Sequence, residues 1–150
     1  MDRSIVFFWK RLFVTLIVIL VVQFEVNAAE VEGSINSPSD GDKVAGVYEA
    51  KGSVRNLPSG HKLWVVVRKG KNFWPKDEAF IVGGKKWNAN VDESATKPGR
   101  PYSLVLFSVG PSGQTQIADW RRIGEETYSW PAMKGIKDSK ALDMIDLRRK

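Results

Sequence analysis

The residues best suited to chemistry in this sequence are aromatic and basic side chains that stand close together. Phe73 and Trp74 are adjacent, and Lys71 and Lys76 flank them. A tryptophan face can stack on a sugar ring or insert into a protein contact, and nearby lysines attract anions. Trp130, in an apolar loop, is a further candidate. We therefore predict ligand binding by these five residues. The alternative is that Trp74 folds back as a lid on the end of the fold.

Residue sets that support catalysis or metal binding are missing from the sequence. The chain has no cysteine, and His61 is its one imidazole, so thiolate zinc sites and multi-histidine sites are excluded. An enzyme on this scaffold is disfavoured, because the sequence has no Gly-x-Ser-x-Gly elbow and no recognisable nucleophile–base set. His61 follows a turn and is predicted to be exposed. Glu125, Glu126, Asp143 and Asp146 are of the type that hydrolyses sugars, but they are better explained as solvated charges. We expect no catalytic residue, no metal and no cofactor.

The first part of the chain has the order of a secretory signal peptide. Basic residues are followed by an apolar run at 12–22, a more polar stretch and the small residues Ala28 and Ala29. The run is shorter than the ~20 residues that a membrane-spanning helix needs. We predict a signal peptide at residues 1–28, with cleavage after Ala29 as the alternative. The mature protein would be exported to the periplasm or the cell exterior.

An uncleaved signal anchor is the competing interpretation of the same segment. It would tether the protein to the membrane, and it would place Lys10 and Arg11 in the hydrocarbon at a cost of about 2.5–3.5 kcal/mol each. Cleavage leaves no predicted membrane span. The missing cysteines also mean that no disulfide supports the exported domain, which must be stabilised by its core alone.

The charge of the chain is moderately positive, at +6. Removal of residues 1–28 leaves an excess of about +5, which is ordinary for solubility and also favours anionic surfaces or acidic glycans. Nucleic acid is a poor partner for an exported protein, and no basic run with interleaved aromatics is present. The expected partner is a protein or a cell-envelope glycan.

Hydrophobic periodicity predicts an antiparallel β-sandwich. Residues 63–68 are apolar on both faces, which predicts a central strand covered on both sides. Pro75 cannot donate a ladder hydrogen bond, so Phe73 and Trp74 must lie at an edge or end of a strand. Trp64 and Trp87 are predicted to be in the core. Other strands are predicted at 31–35, 48–55, 79–82, 87–91, 102–109 and 142–147, the last as an edge strand.

One short helix is predicted near the end of the domain. From Gln114 to Ile123 the apolar period changes from two to three or four. Ser112 is the predicted N-cap and Gly124 the predicted stop. About seven short strands with glycine and proline turns between them indicate an immunoglobulin-like sandwich. A small open barrel is the alternative.

The order of turns and strands resembles the small exported immunoglobulin-like or fibronectin-III-like modules of bacteria. The residues that carry the resemblance are Ile35, Ser37, Pro38, Gly41 and Val44, then Gly52, Val54, Asn56, Leu57, Pro58 and Gly60, then 63–67, 73–75 and Trp87. The resemblance covers about residues 31–109 and implies a module that binds, spaces or presents. It carries over no fixed functional residue. The insert at 111–140 departs from the pattern and is a second candidate for function.

Overall fold

The computed structural model describes residues 28–150. The predicted signal peptide at 1–28 therefore lies outside the described residues, except for Ala28. This part of the chain is mostly β-structure, which confirms the all-β prediction. It contains β1 (Glu32–Ser37), β2 (Lys43–Val44), β3 (Val47–Arg55), β4 (Lys62–Lys69), β5 (Asn72–Glu78), β6 (Phe80–Val82), β7 (Lys86–Asp92), β8 (Pro101–Val109), the helix α1 (Pro111–Thr127) and β9 (Ser139–Arg149). Within residues 28–150, no helix has both the length and the hydropathy to cross a membrane.

The strands form two sheets that share a core. One sheet has the order β1-β3-β7-β6, and the other has the order β2-β9-β8-β4-β5 and is curled into half a barrel. Neighbouring strands are antiparallel except for β2, which runs parallel to β9. Buried residues of both sheets form one hydrophobic cluster, with Ala50, Trp87 and Val91 on one side and Val65 and Leu104 on the other. Burial of apolar surface between the sheets is therefore the main stabilising contribution.

The strand β4 is an interior strand of the curled sheet and is covered on both faces, as its two apolar faces predicted. It pairs with β8 on one side and β5 on the other. Leu63, Val65 and Val67 point into the core between the sheets. Trp64 and Val66 point to the opposite face, where they pack with Ile117 of α1. The helix thus forms a third layer, and it covers the face of β4 that would otherwise be apolar and exposed.

Gly52 makes room for Trp87 on the inner face of the four-stranded sheet. The two residues are register partners in β3 and β7. Trp87 is 2% exposed, and its indole N–H donates to the carbonyl oxygens of Ser34 at 3.1 Å and Ser53 at 3.2 Å. Both core predictions, for Trp64 and for Trp87, are confirmed.

The helix is longer than predicted, and both of its predicted ends are wrong. It begins at Pro111 with Gly110 as N-cap, because proline at the first helical position needs no hydrogen-bond acceptor for its nitrogen. Ser112 therefore lies inside the helix and does not cap it. Gly124 does not end the helix either, which continues to Thr127 and closes at Tyr128 with φ 53°.

The last strand also differs from its prediction. It was expected as an edge strand at 142–147, whereas β9 extends from Ser139 to Arg149 and pairs with β8 over its length. At its end it also pairs with Lys43 and Val44 of β2. A two-residue strand is too short to produce a periodic pattern, so the sequence could not reveal that β9 has a second neighbour.

Candidate functional site

An open groove of about 770 Å³ lies where the edge strand β5, the helix α1 and the loop between β7 and β8 meet. Tryptophans and charged residues dominate its walls: Trp74, Trp120 and Trp130, with Lys69, Lys76, Lys97, Arg100 and Arg121, and with Asp92 and Glu93. Concave sites that combine aromatic surface with a few polar groups are typical of ligand binding. We therefore take this groove as the candidate site.

The three tryptophans are held in place by hydrogen bonds from two of their indole N–H groups. The N–H of Trp74 donates to the carbonyl oxygen of Trp130 at 3.2 Å, and that of Trp120 donates to Pro131 at 2.7 Å. The rings of Trp120 and Trp130 lie 5.0 Å apart between centroids. Trp130 remains 45% exposed. The two bonds restrain the rings of Trp74 and Trp120, and all three tryptophans line the groove.

Gly124 allows the ring of Trp130 to lie against the helix. A Cβ atom at this position would come within 2.2–2.5 Å of the Trp130 ring. Glycine in a helix interior costs about 1 kcal/mol relative to alanine. Any larger residue would displace the Trp130 ring, which is why a glycine lies inside the helix at this position.

The segment that carries Trp130 is tied to the edge strand next to the groove. Phe73 and Met133 exchange two backbone hydrogen bonds, N to O, of 2.9 Å and 3.0 Å. Lys134 also donates to the side chain of Asn72 at 2.6 Å. The bridge covers the outer edge of β5 at Phe73, and it fixes the distance between Trp130 and Trp74.

A buried carboxylate organises the basic residues on the other wall. Glu93 is 4% exposed and forms ion pairs with Lys69, at 2.8 Å, and with Lys76. It also accepts a hydrogen bond from the hydroxyl of Thr96, which in turn accepts one from Lys69 at 2.6 Å. The ammonium group of Lys69 lies 5.5 Å from the centroid of the Trp74 ring, within the range of a cation–π contact.

The charge of Glu93 is maintained in spite of its burial. Burial alone would raise the pKa of this carboxyl, but the hydrogen bonds from Lys69, Lys76 and Thr96 outweigh burial, and the pKa lies below its ordinary value. The pKa of Asp92 is also lowered, by hydrogen bonds from the side chain and backbone of Ser94. The acidic groups of the groove are thus ionised and already have partners within the protein.

Of the five predicted site residues, the structure brings three together. Trp74, Lys76 and Trp130 line the groove. Phe73 does not, because consecutive strand residues face opposite ways, and its ring packs edge-on against Phe107 at 6.0 Å beneath α1. Lys71 is exposed in the turn between β4 and β5 and is not part of the groove wall. As Pro75 predicted, β5 is an edge strand.

The groove also contains residues that were not predicted as site residues. The loop at 93–100 supplies Glu93, Thr96, Lys97 and Arg100, yet its sequence shows only a polar connection between strands. Trp120 and Arg121 come from α1, within the insert that the sequence marked as a second candidate. The groove therefore joins the two predicted regions, the stretch around Trp74 and the insert at 111–140, into one surface.

The weaker candidates for catalysis lie elsewhere in the structure. The prediction that His61 is exposed is wrong: it is half-buried, because its Nδ1 atom lies 3.1 Å from the hydroxyl of the buried Ser108. Glu125 and Glu126 are exposed on α1. Asp143 accepts a hydrogen bond from the backbone N–H of Ile35 at 2.7 Å, and Asp146 accepts one from the hydroxyl of Ser103 at 2.6 Å. Among residues 28–150, no three histidine or carboxylate side chains are grouped so that they could hold a metal ion.

Comparisons with known proteins give little further information. No protein-family model and no curated protein matches the chain. The X-ray structure of the endo-beta-1,4-mannanase from Thermotoga petrophila is similar at a TM-score of 0.48 and 14% identity, over 81% of this chain and 20% of that chain. The chain thus spans about a fifth of the length of that protein. Neither a fold family nor a function follows from a likeness at this level.

Proposed function

We propose that this protein is a noncatalytic, exported β-sandwich module of immunoglobulin-like type that binds a component of the cell envelope in the groove. Two sheets around one core, antiparallel except for the short β2, support the sandwich assignment. The five-stranded sheet is curled, and a curled sheet is also expected for a small open barrel, which is the alternative fold. Export rests on the N-terminal sequence pattern.

The observation that carries a binding function is the fixed arrangement of Trp74, Trp120 and Trp130. Trp130 is exposed, and Trp74 and Trp120 are half-buried along the groove. A cluster of tryptophans that keeps part of its surface in contact with solvent is typical of a recognition surface. Hydrogen bonds hold two of the three rings in position, so a ligand would meet a surface that loses little conformational entropy on binding.

The groove favours a glycan over a protein as the bound component. An extended peptide commonly binds by adding a strand to a free sheet edge. Here the outer edge of β5 is already paired at Phe73 with Met133. A sugar ring needs no such edge, because it stacks on the face of an aromatic ring. We therefore favour a carbohydrate-binding module, and a protein partner is the alternative.

Trp130→Ala is expected to weaken glycan binding by about 30-fold or more, the scale of an aromatic hot spot of 2 kcal/mol. Binding would be measured on a glycan array and then by titration with the glycans that bind. Tyr128→Ala is the matched control, because Tyr128 is 91% exposed and lies outside the groove wall. We expect its affinity to remain within about twofold of that of the wild type.

A second variant tests whether the position of the Trp130 ring matters for binding, and not only the presence of the ring. Gly124→Ala keeps the indole but forces the ring away from α1, and alanine favours the helix. It should weaken glycan binding while the melting temperature stays close to that of the wild type. Unchanged glycan binding in both Trp130→Ala and Gly124→Ala would refute the groove as the binding site.

A further inference from the structure

The acidic side chains of the groove have partners within the protein, but not all of its basic side chains do. Five basic and two acidic side chains line it. Glu93 is paired with Lys69 and Lys76, and the Asp92 carboxylate accepts hydrogen bonds from Ser94. The two acids are therefore occupied by partners that belong to the fold. The groove retains a positive excess that these partners do not neutralise.

Lys97 and Arg100 carry most of this excess. Both are exposed on the loop between β7 and β8, and neither forms a salt bridge with any residue in 28–150. Arg121 is different, because it donates to the carbonyl oxygen of Lys76 at 3.2 Å and its guanidinium lies 5.0 Å from the Trp64 ring centroid. Two cations on one wall are thus available to a ligand.

The aromatic surface and these cations line the same groove. Trp130 is exposed on one wall, and Lys97 and Arg100 are exposed on another. A ligand that satisfies both walls must offer flat ring faces for stacking and negative groups for ion pairing. A neutral glycan would leave the basic wall without a partner. A polymer of glutamate would leave the tryptophan faces uncovered.

We infer that the groove takes an acidic polysaccharide, with sugar rings stacked on the tryptophans and carboxylates paired with Lys97 and Arg100. This inference rests on the proposed function of the same groove and specifies the class of glycan. Long-range attraction by the positive surface would also speed association, and added salt would weaken binding because it screens exposed charges.

The test compares two polymers with the same backbone, one of which carries carboxylates and the other neutral hydroxymethyl groups at the same positions. The protein is titrated at low salt with polygalacturonate and with its carboxyl-reduced, neutral form. Wild-type protein should bind the acidic polymer at least about tenfold more tightly, and the double variant Lys97→Gln with Arg100→Gln should lose most of that difference. The affinity of the double variant for the neutral polymer should fall by less than its affinity for the acidic polymer.

The matched control is Lys85→Gln with Lys86→Gln, which removes two exposed lysines at the opposite end of β7. If this control loses as much affinity for the acidic polymer as the groove variant, the effect is one of net charge and the inference is wrong. Equal affinity for the two polymers also overturns it, yet leaves the proposed function intact. Binding of neither polymer by a protein that binds poly-glutamate would overturn both.

Discussion

Glu93→Gln is expected to lower the free energy of unfolding by about 2–3 kcal/mol at neutral pH. The substitution keeps the shape of the side chain but removes the anion that Lys69 and Lys76 share. Removal of one partner from a buried ion pair typically costs about 3–5 kcal/mol. We expect less here, because the side chain of Lys69 is 38% exposed and water can partly replace the lost partner.

The effect of Glu93→Gln should depend on pH in a defined direction. Because the folded pKa of Glu93 is lowered, its contribution is complete above the ordinary value of 4.5 and is lost as the pH falls through the folded pKa. Chemical denaturation at several pH values should therefore show the two proteins converging in acid. If the difference in unfolding free energy between wild type and Glu93→Gln stayed constant down to pH values where Glu93 is protonated, the assignment of a charge to Glu93 would be contradicted.

Glu78→Gln provides the control for this prediction. Glu78 pairs with Lys62 at 2.9 Å, but the two side chains are 42% and 48% exposed. Exposed ion pairs contribute about 0–1 kcal/mol, so this variant should unfold at nearly the wild-type denaturant concentration. If Glu78→Gln destabilised the protein as much as Glu93→Gln, burial would not be the reason for the effect at Glu93.

Gly52→Ala is expected to destabilise the protein by at least about 3 kcal/mol, because it overpacks a rigid part of the core. A Cβ atom at this position would lie 1.8 Å from the carbonyl oxygen of Ser34 and 2.6 Å from the ring of Trp87. The first of these is a backbone atom of the neighbouring strand β1. Relief of the clash would therefore require separation of β1 from β3 as well as movement of Trp87.

Gly135→Ala is the matched control for the effect at Gly52. No atom lies within 4 Å of the position that its Cβ would take. We expect the free energy of unfolding to change by less than about 1 kcal/mol. Any gain in stability would come from the reduced conformational freedom of the unfolded chain. Thermal unfolding of the two variants, followed by far-UV circular dichroism, checks the pair. If the Gly52→Ala protein had the same melting temperature as the wild type, the close packing of β1 on Trp87 would be refuted.

Much of the fold could be predicted from periodicity, because most strands have one buried face. The alternation in β3 and β7 and the double apolar face of β4 correspond to the burial seen in the structure. The end of α1 could not be predicted, because Gly124 lies inside the helix in contact with the Trp130 ring. That contact depends on the tertiary fold and has no signature in the local sequence. The start of α1 did have a local signal, since Pro111 occupies the first helical position.

The candidate site was predictable only in part, for the same reason. Trp74 was predicted because Pro75 places it at a strand edge, Lys76 because it flanks this aromatic pair, and Trp130 because it lies in an apolar loop. The role of Glu93 was hidden, since a carboxylate in a polar loop is usually solvated, and only the meeting of that loop with Lys69 and Lys76 buries it. Phe73 was assigned to the site because the sequence shows adjacency but not which face of β5 meets the helix.

The central claim, that the tryptophan groove binds a glycan, is tested most directly by nuclear magnetic resonance of the indole N–H groups. During titration with a galacturonate oligosaccharide, we predict that the signals of Trp74, Trp120 and Trp130 shift in a saturable way. The signal of Trp87, which is 2% exposed between the sheets, should not move. Binding of the oligosaccharide with the three groove signals unmoved would contradict the claim.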